Sequence, residues 1–154
     1  MRTDIDSLPI KSSAIVYRQQ NNEYEFLCLK RERNDGIQAG KPEGWWEFPS
    51  GGLKHDENIR EAMLRELKEE TGIINPLKII DNFFHYSWEW KGQTHLTFVF
   101  AVEVQYDIKI KLEPKEHEAY QWCSYQDALE LLTYDKPKDS LIQLKQYLTD
   151  FSSN

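Results

Sequence analysis

Three carboxylates, Glu66, Glu69 and Glu70, stand at i, i+3 and i+4 of one short stretch. On a helix that spacing brings like charges together, where they repel. At about 100° per residue, Ile59, Met63, Leu67 and Leu64 form one apolar arc, and Glu70 projects between Ile59 and Met63. The three acids also fall in the last two turns, where the negative end of the helix dipole disfavours anions. A solvated charged face accounts for Glu61 and Lys68 but not for Glu70 inside the arc. A hard divalent cation such as Mg²⁺ or Mn²⁺ removes the conflict, because it takes clustered carboxylate oxygens. The residues alone therefore point to a metal–carboxylate site on a helix that ends at Gly72, a residue suited to a left-handed cap.

Gly51, Glu57 and the run Arg65-Glu66-Leu67-Lys68-Glu69-Glu70-Thr71-Gly72-Ile73 together resemble a complete Nudix box. The lead-in Trp46-Glu47-Phe48-Pro49-Ser50-Gly51-Gly52 is also similar to that family, with Ser50 where many members have Gly. The resemblance implies a hydrolase of nucleoside diphosphates linked to another moiety, with Mg²⁺ (or Mn²⁺) as cofactor. It implies that Glu66, Glu69, Glu70 and the Ser50 backbone carbonyl hold the metal, and that Glu57 joins through a water or orients a ligand. Arg65 lies only about 40° from Glu69 on the helical wheel and is expected to steady that carboxylate. Lys115-Glu116-His117-Glu118-Ala119-Tyr120-Gln121-Trp122 resembles the Glu-His loop of the dinucleoside tetraphosphate hydrolase and MutT-like branches. By that analogy Glu116 reaches over the metal as base or extra ligand, with weaker claims for His117 and Glu118. Glu116 or Glu69 would accept the proton of the attacking water.

Candidate substrate contacts come from two strands. Lys30, Arg31 and Arg33 close one of them and can meet phosphate, although a solvated strand end explains each equally well. Tyr86, Trp88 and Trp90 alternate along another and share a face. They can stack on a base, or simply fill a core. His85 and His95 have no ligand spacing and are read as structural or surface groups.

The elements that must position these groups follow from pattern. Strands are expected at 11–18 and 23–31 around an Asn21-Asn22 turn, and at 45–49 before the box. A polar loop is expected at 32–44. Asp56 or Asn58 caps the box helix. Strands are expected at 77–90 and 94–105 around Lys91-Gly92, then at 120–123, followed by helices at 125–132 and 138–148. Leu141, Leu144 and Leu148 share a face of the last helix, and residues 150–154 should fray. The pattern suggests an α/β layered fold. The resemblance makes it a Nudix fold, a mixed sheet sandwiched between helices.

At 154 residues, 40% hydrophobic and 13% aromatic, one domain spanning 1–154 is expected, with an ordered core at about 10–150. Cys28 and Cys123 lie in strand-like segments and read as buried thiols rather than a disulfide. No apolar run approaches the ~20 residues that span a bilayer. The acidic start of the chain does not read as a leader, so a cytoplasmic protein without membrane contact is expected. A net charge of −7 argues against a duplex nucleic-acid surface. The expected partner is a nucleotide substrate, bound by a monomer or homodimer. The expected reaction is cleavage of a diphosphate linkage, either in a dinucleoside tetraphosphate or in a (deoxy)nucleoside triphosphate. The rival is a non-catalytic nucleotide-sensing Nudix domain, which retention of every box carboxylate disfavours.

Overall fold

The computed structural model describes residues 9–33 and 44–152. The reading of the first seven residues, and nearly all of the loop expected at 32–44, lie outside them. Strand β1 (Ile10–Gln20) turns through Asn21 and Asn22, at φ 56° and 66°, into antiparallel β2 (Glu23–Arg31). Two consecutive left-handed residues give the turn that matches the natural twist of a hairpin. Short strands β3 (Trp46–Glu47) and β4 (Ser50–Gly52) follow, then helix α1 (Ile59–Thr71). Strands β5 (Lys78–Trp90) and β6 (Gln93–Glu103) form a second hairpin, with Lys91 and Gly92 again left-handed at its tip. Strand β7 (His117–Cys123) precedes helices α2 (Tyr125–Leu131) and α3 (Asp135–Ser152).

The seven strands form one mixed sheet in which only β1 and β6 run parallel. Both β2 and β4 pair with β1, at opposite ends of the strand. The far end of β2 pairs instead with β3, while its outer edge takes β7. β1 and β2 therefore diverge like a fork, and β3 and β4 fill the gap.

Alternation along β1 divides the core into two layers. Ile15 and Tyr17 pack with Leu132, Leu141, Leu144 and Leu148 from the C-terminal helices. Ala14 and Val16 pack with Met63 and Leu67 of α1 on the other face. The sheet is thus sandwiched between helices, as the Nudix resemblance implies. Cys28 and Cys123 are free and buried in the first layer.

Three departures from the sequence expectation stand out, beside shifts of one or two residues at other element ends. β4 has two glycines and no apolar pattern, and it exists because it completes the fork. β7 begins at His117 rather than Tyr120, because pairing with Arg31 of β2 extends it through residues that read as a polar turn. α3 begins at Asp135 and continues through Ser152. Pro137 does not block the start, since its missing N–H falls in the first turn, where helix donors have no internal partner. Among the described residues no helix is long and apolar enough to cross a membrane.

Candidate active site

The box helix is well closed at both ends. The Asn58 side chain accepts from the Glu61 N–H, and the Glu61 carboxylate accepts from the Asn58 N–H, a reciprocal pair that satisfies exposed donors. Of the two expected caps, Asn58 is the one used. At the other end Gly72 takes φ 78° and donates to the Lys68 carbonyl.

Between those ends the carboxylates fan out. Glu70 is completely buried, Glu66 is largely covered, and Glu69 is half exposed. The helical wheel explains this order, because Glu66 lies between the other two. A Cβ on Gly51 would overlap the Glu66 carboxylate, so the box glycine leaves the room that this side chain occupies. The Ser50 N–H donates to Glu70 Oε2 at 3.1 Å. Burial, reinforced by repulsion from Glu47, Glu66 and Glu116, raises the Glu70 carboxyl to about 10.

Arg65 is the local counter-charge. It grips both oxygens of Glu57 at 2.5 and 2.9 Å, reaches Glu66 at 2.7 Å and donates to the Gly52 carbonyl at 3.0 Å. It also reaches Glu69, as the wheel suggests, at 3.3 Å, while its shorter bonds hold Glu57. Hydrogen bonds from Arg65 and from the Lys54 N–H hold the Glu57 carboxyl down at about 2.

A second cluster lies behind Glu70. His117 is fully buried, with Nε2 2.7 Å from Glu47 Oε2 and Nδ1 3.7 Å from Glu70 Oε1. Arg31 also donates to Glu47 Oε2, at 3.2 Å. Glu47, Glu70 and His117 bring ligand atoms within 4.8 Å of one another. Sequence reasoning passed over Glu47 as part of the lead-in, and it ranked His117 below Glu116.

Of these groups, Arg31, Glu47 and Glu66 border a cavity of about 750 Å³, while Glu57, Arg65, Glu69, Glu70 and His117 are outside its lining. Its acidic wall includes Glu47, Glu66 and Glu116, next to Ser50 and Gly51. Tyr86, Trp88 and Trp90 line it from β5, with His95 stacked on Trp88 at 4.3 Å. Trp45 and Tyr134, in edge contact at 5.7 Å, line it as well. Of the three cations expected to meet phosphate, Arg31 reaches the cavity and lies over Trp45. Lys30 is outside the lining and pairs with Glu118 at 3.6 Å, and Arg33 is exposed beyond the end of β2. Lys11, which the sequence reading did not single out, lines the cavity with its ammonium 5.2 Å from the Trp88 ring. Burial lowers its pKa, against the pull of Glu47.

The NUDIX domain family profile matches residues 9–144. The chain belongs to the Nudix family. It is similar to the mouse (Mus musculus) bis(5′-nucleosyl)-tetraphosphatase [asymmetrical], at 32% identity over 138 residues and 87% of each chain. Its fold is similar to that of a Caenorhabditis elegans Ap4A hydrolase in a binary complex, with TM-score 0.77 and 21% identity, over 93% of this chain and 99% of that one. The Escherichia coli dihydroneopterin triphosphate pyrophosphohydrolase has a TM-score of 0.72 at 21% identity, over 87% of this chain and 92% of that one. This Nudix protein is therefore a member of a pyrophosphohydrolase enzyme family. The family typically depends on a divalent metal, and the donor set suits one. Glu70 Oε1 and His117 Nδ1 are buried without a hydrogen-bond partner, beside carboxylates whose mutual repulsion a cation would relieve.

Proposed function

We propose that this Nudix hydrolase cleaves dinucleoside tetraphosphates asymmetrically, into a nucleoside triphosphate and a nucleoside monophosphate. The observation that carries the reading is the 750 Å³ cavity, with an acidic wall and aromatic groups contributed by separate parts of the chain. Small-molecule clefts run from about 300 to 1,000 Å³, so this one is of a size to take a nucleotide ligand. The similarity to the mouse tetraphosphatase supports the same substrate class.

In this reading Glu66, Glu69, Glu70 and the Ser50 carbonyl hold Mg²⁺ or Mn²⁺. Bound there, the cation supplies charge neutralisation at the phosphate oxygens and a lowered pKa for the attacking water. Arg65 fixes Glu57 and Glu66 in position. Glu116 takes the water's proton from the cavity wall, with Glu69 as the other candidate. Arg31 and Lys11 meet the polyphosphate charge, and Tyr86 and Trp88 stack on a base.

A panel of dinucleoside tetraphosphate, ATP, dATP and dihydroneopterin triphosphate, run in ¹⁸O-labelled water, tests this. The expected result is at least about tenfold higher kcat/KM for the dinucleotide, with label in one product only. A higher value for any of the triphosphates would replace the substrate reading with the triphosphate pyrophosphatase one. Tight binding without turnover of any member would leave a nucleotide sensor.

A further inference from the structure

Glu70 and His117 are each anchored through one polar atom and bare at the other. The Ser50 N–H holds Glu70 Oε2, leaving Oε1 without a hydrogen-bond partner. Glu47 holds His117 Nε2, leaving Nδ1 without one. Glu47 is itself fixed by Arg31, which donates to the same Oε2, so that oxygen acts as an acceptor and Nε2 carries the imidazole proton. In the neutral ring the lone pair then lies on Nδ1, facing Glu70. A carboxylate that receives the far N–H of a histidine is the usual way such a ring is oriented toward a metal.

The separation of the two bare atoms decides what belongs between them. It is 3.7 Å, too long for a direct hydrogen bond. Two hydrogen bonds of ~2.8 Å meeting at a water's tetrahedral angle would span about 4.6 Å. Two ligand bonds of ~2.1 Å meeting at a tetrahedral ion would span about 3.4 Å. The observed gap is much nearer the second value. Both side chains are fully buried, and the cavity wall beside them is formed by Glu47, Ser50 and Glu116.

We infer that His117 Nδ1 and Glu70 Oε1 are paired ligands for a borderline divalent cation such as Zn²⁺, with Glu47 orienting the imidazole rather than binding the ion. This rests on the reading of Glu70 as a metal ligand and adds a nitrogen donor to it. A nitrogen donor favours Zn²⁺ over Mg²⁺, which prefers oxygen alone.

The test uses Zn²⁺ and Mg²⁺ as probes on the nucleotide-free full chain. X-ray absorption at the zinc edge of the 1:1 complex reads imidazole scattering directly. The chain has four histidines, so the triple variant His55→Gln, His85→Gln, His95→Gln leaves only His117. Imidazole scattering is expected in the parent and in the triple variant. His117→Gln keeps a donor toward Glu47 and removes Nδ1. It should abolish the signal and weaken Zn²⁺ binding about tenfold or more, with Mg²⁺ binding changed by less than about twofold. If His117→Gln does not fold, the triple variant alone decides. Zinc bound through oxygen only, or an unchanged Zn²⁺-to-Mg²⁺ preference in His117→Gln, overturns the nitrogen ligand and leaves the carboxylate centre standing. Failure of the parent to bind either ion overturns both.

Discussion

Glu57 and Glu70 carry the same carboxyl group near the two ends of one box, yet the fold treats them in opposite ways. Glu57 is gripped by Arg65 and by the Lys54 N–H, and its carboxyl is held down at about 2. Glu70 is buried against three other acids, with one backbone N–H on one oxygen and nothing hydrogen-bonded to the other, and its carboxyl rises to about 10. The first corner is complete as folded. The second leaves one buried oxygen without a hydrogen-bond partner. A buried charge without a partner is costly, so the metal-free Glu70 carboxyl keeps its proton, and a bound cation could take that proton's place.

The comparison breaks most visibly if the Glu70 corner proves dispensable. Glu70→Gln keeps the shape, and it should lower kcat by about 100-fold or more with the fold intact by circular dichroism. Near-normal turnover would place the metal elsewhere. Glu116→Gln should have the next largest effect, lowering kcat and kcat/KM together by about tenfold or more, as loss of a proton acceptor does. A raised KM with unchanged kcat would make Glu116 a binding contact.

The pH dependence of stability sharpens the contrast. Unfolded, Glu70 titrates near its ordinary 4.5, and folded without metal near about 10. Between those values the folded chain keeps a proton that the unfolded chain releases. Metal-free stability contributed by this group is therefore full below about 4.5 and falls as pH rises toward 10. Its limiting slope is on the order of 1 kcal/mol per pH unit. Urea unfolding from pH 5 to 9 should show that decline, and Glu70→Gln or saturating Mg²⁺ should flatten it. Glu57 runs the other way. Its folded pKa is depressed from 4.5 to about 2, so its contribution is present above about 4.5 and is lost as pH falls toward 2. Arg65→Met should destabilise the chain at neutral pH, with the difference from the parent shrinking across that acid window. A constant difference would mean that Arg65 acts through packing rather than through charge.

How much of this was legible beforehand depended on distance along the chain. Asn58, Gly72, Asn21-Asn22 and Lys91-Gly92 are local signals, and each marks the cap or turn its residue type suits. Glu70 was legible because a charge inside an apolar arc contradicts the helix that carries it. Glu47 and His117 were not, since they lie 70 residues apart and meet only because β3 and β7 both pair with β2. The turn-like composition of residues 117–119 hid the start of β7. Lys11 carried a usable signal that was not used. It shares the β1 face of Ser13, Ile15 and Tyr17, and a lysine on a face otherwise small or apolar marks the place where the core gives way to a cavity. Arg65 does reach Glu69, as the helical wheel suggests, but the wheel cannot register its shorter bonds to Glu57, which lies off the helix.

The pairing of β7 with the outer edge of β2 also fixes when in the life of the chain the site can exist. A nascent polypeptide that has emerged only through β6 already contains the whole Nudix box, both hairpins and α1. It lacks Glu116 and His117, which arrive with the last third of the sequence. Docking of a late strand against an early one is a non-local step, and such steps come slowly in folding. A chain that has emerged only that far thus carries its signature motif without Glu116 and His117, and His117 reaches Glu47 only once β7 has paired with β2.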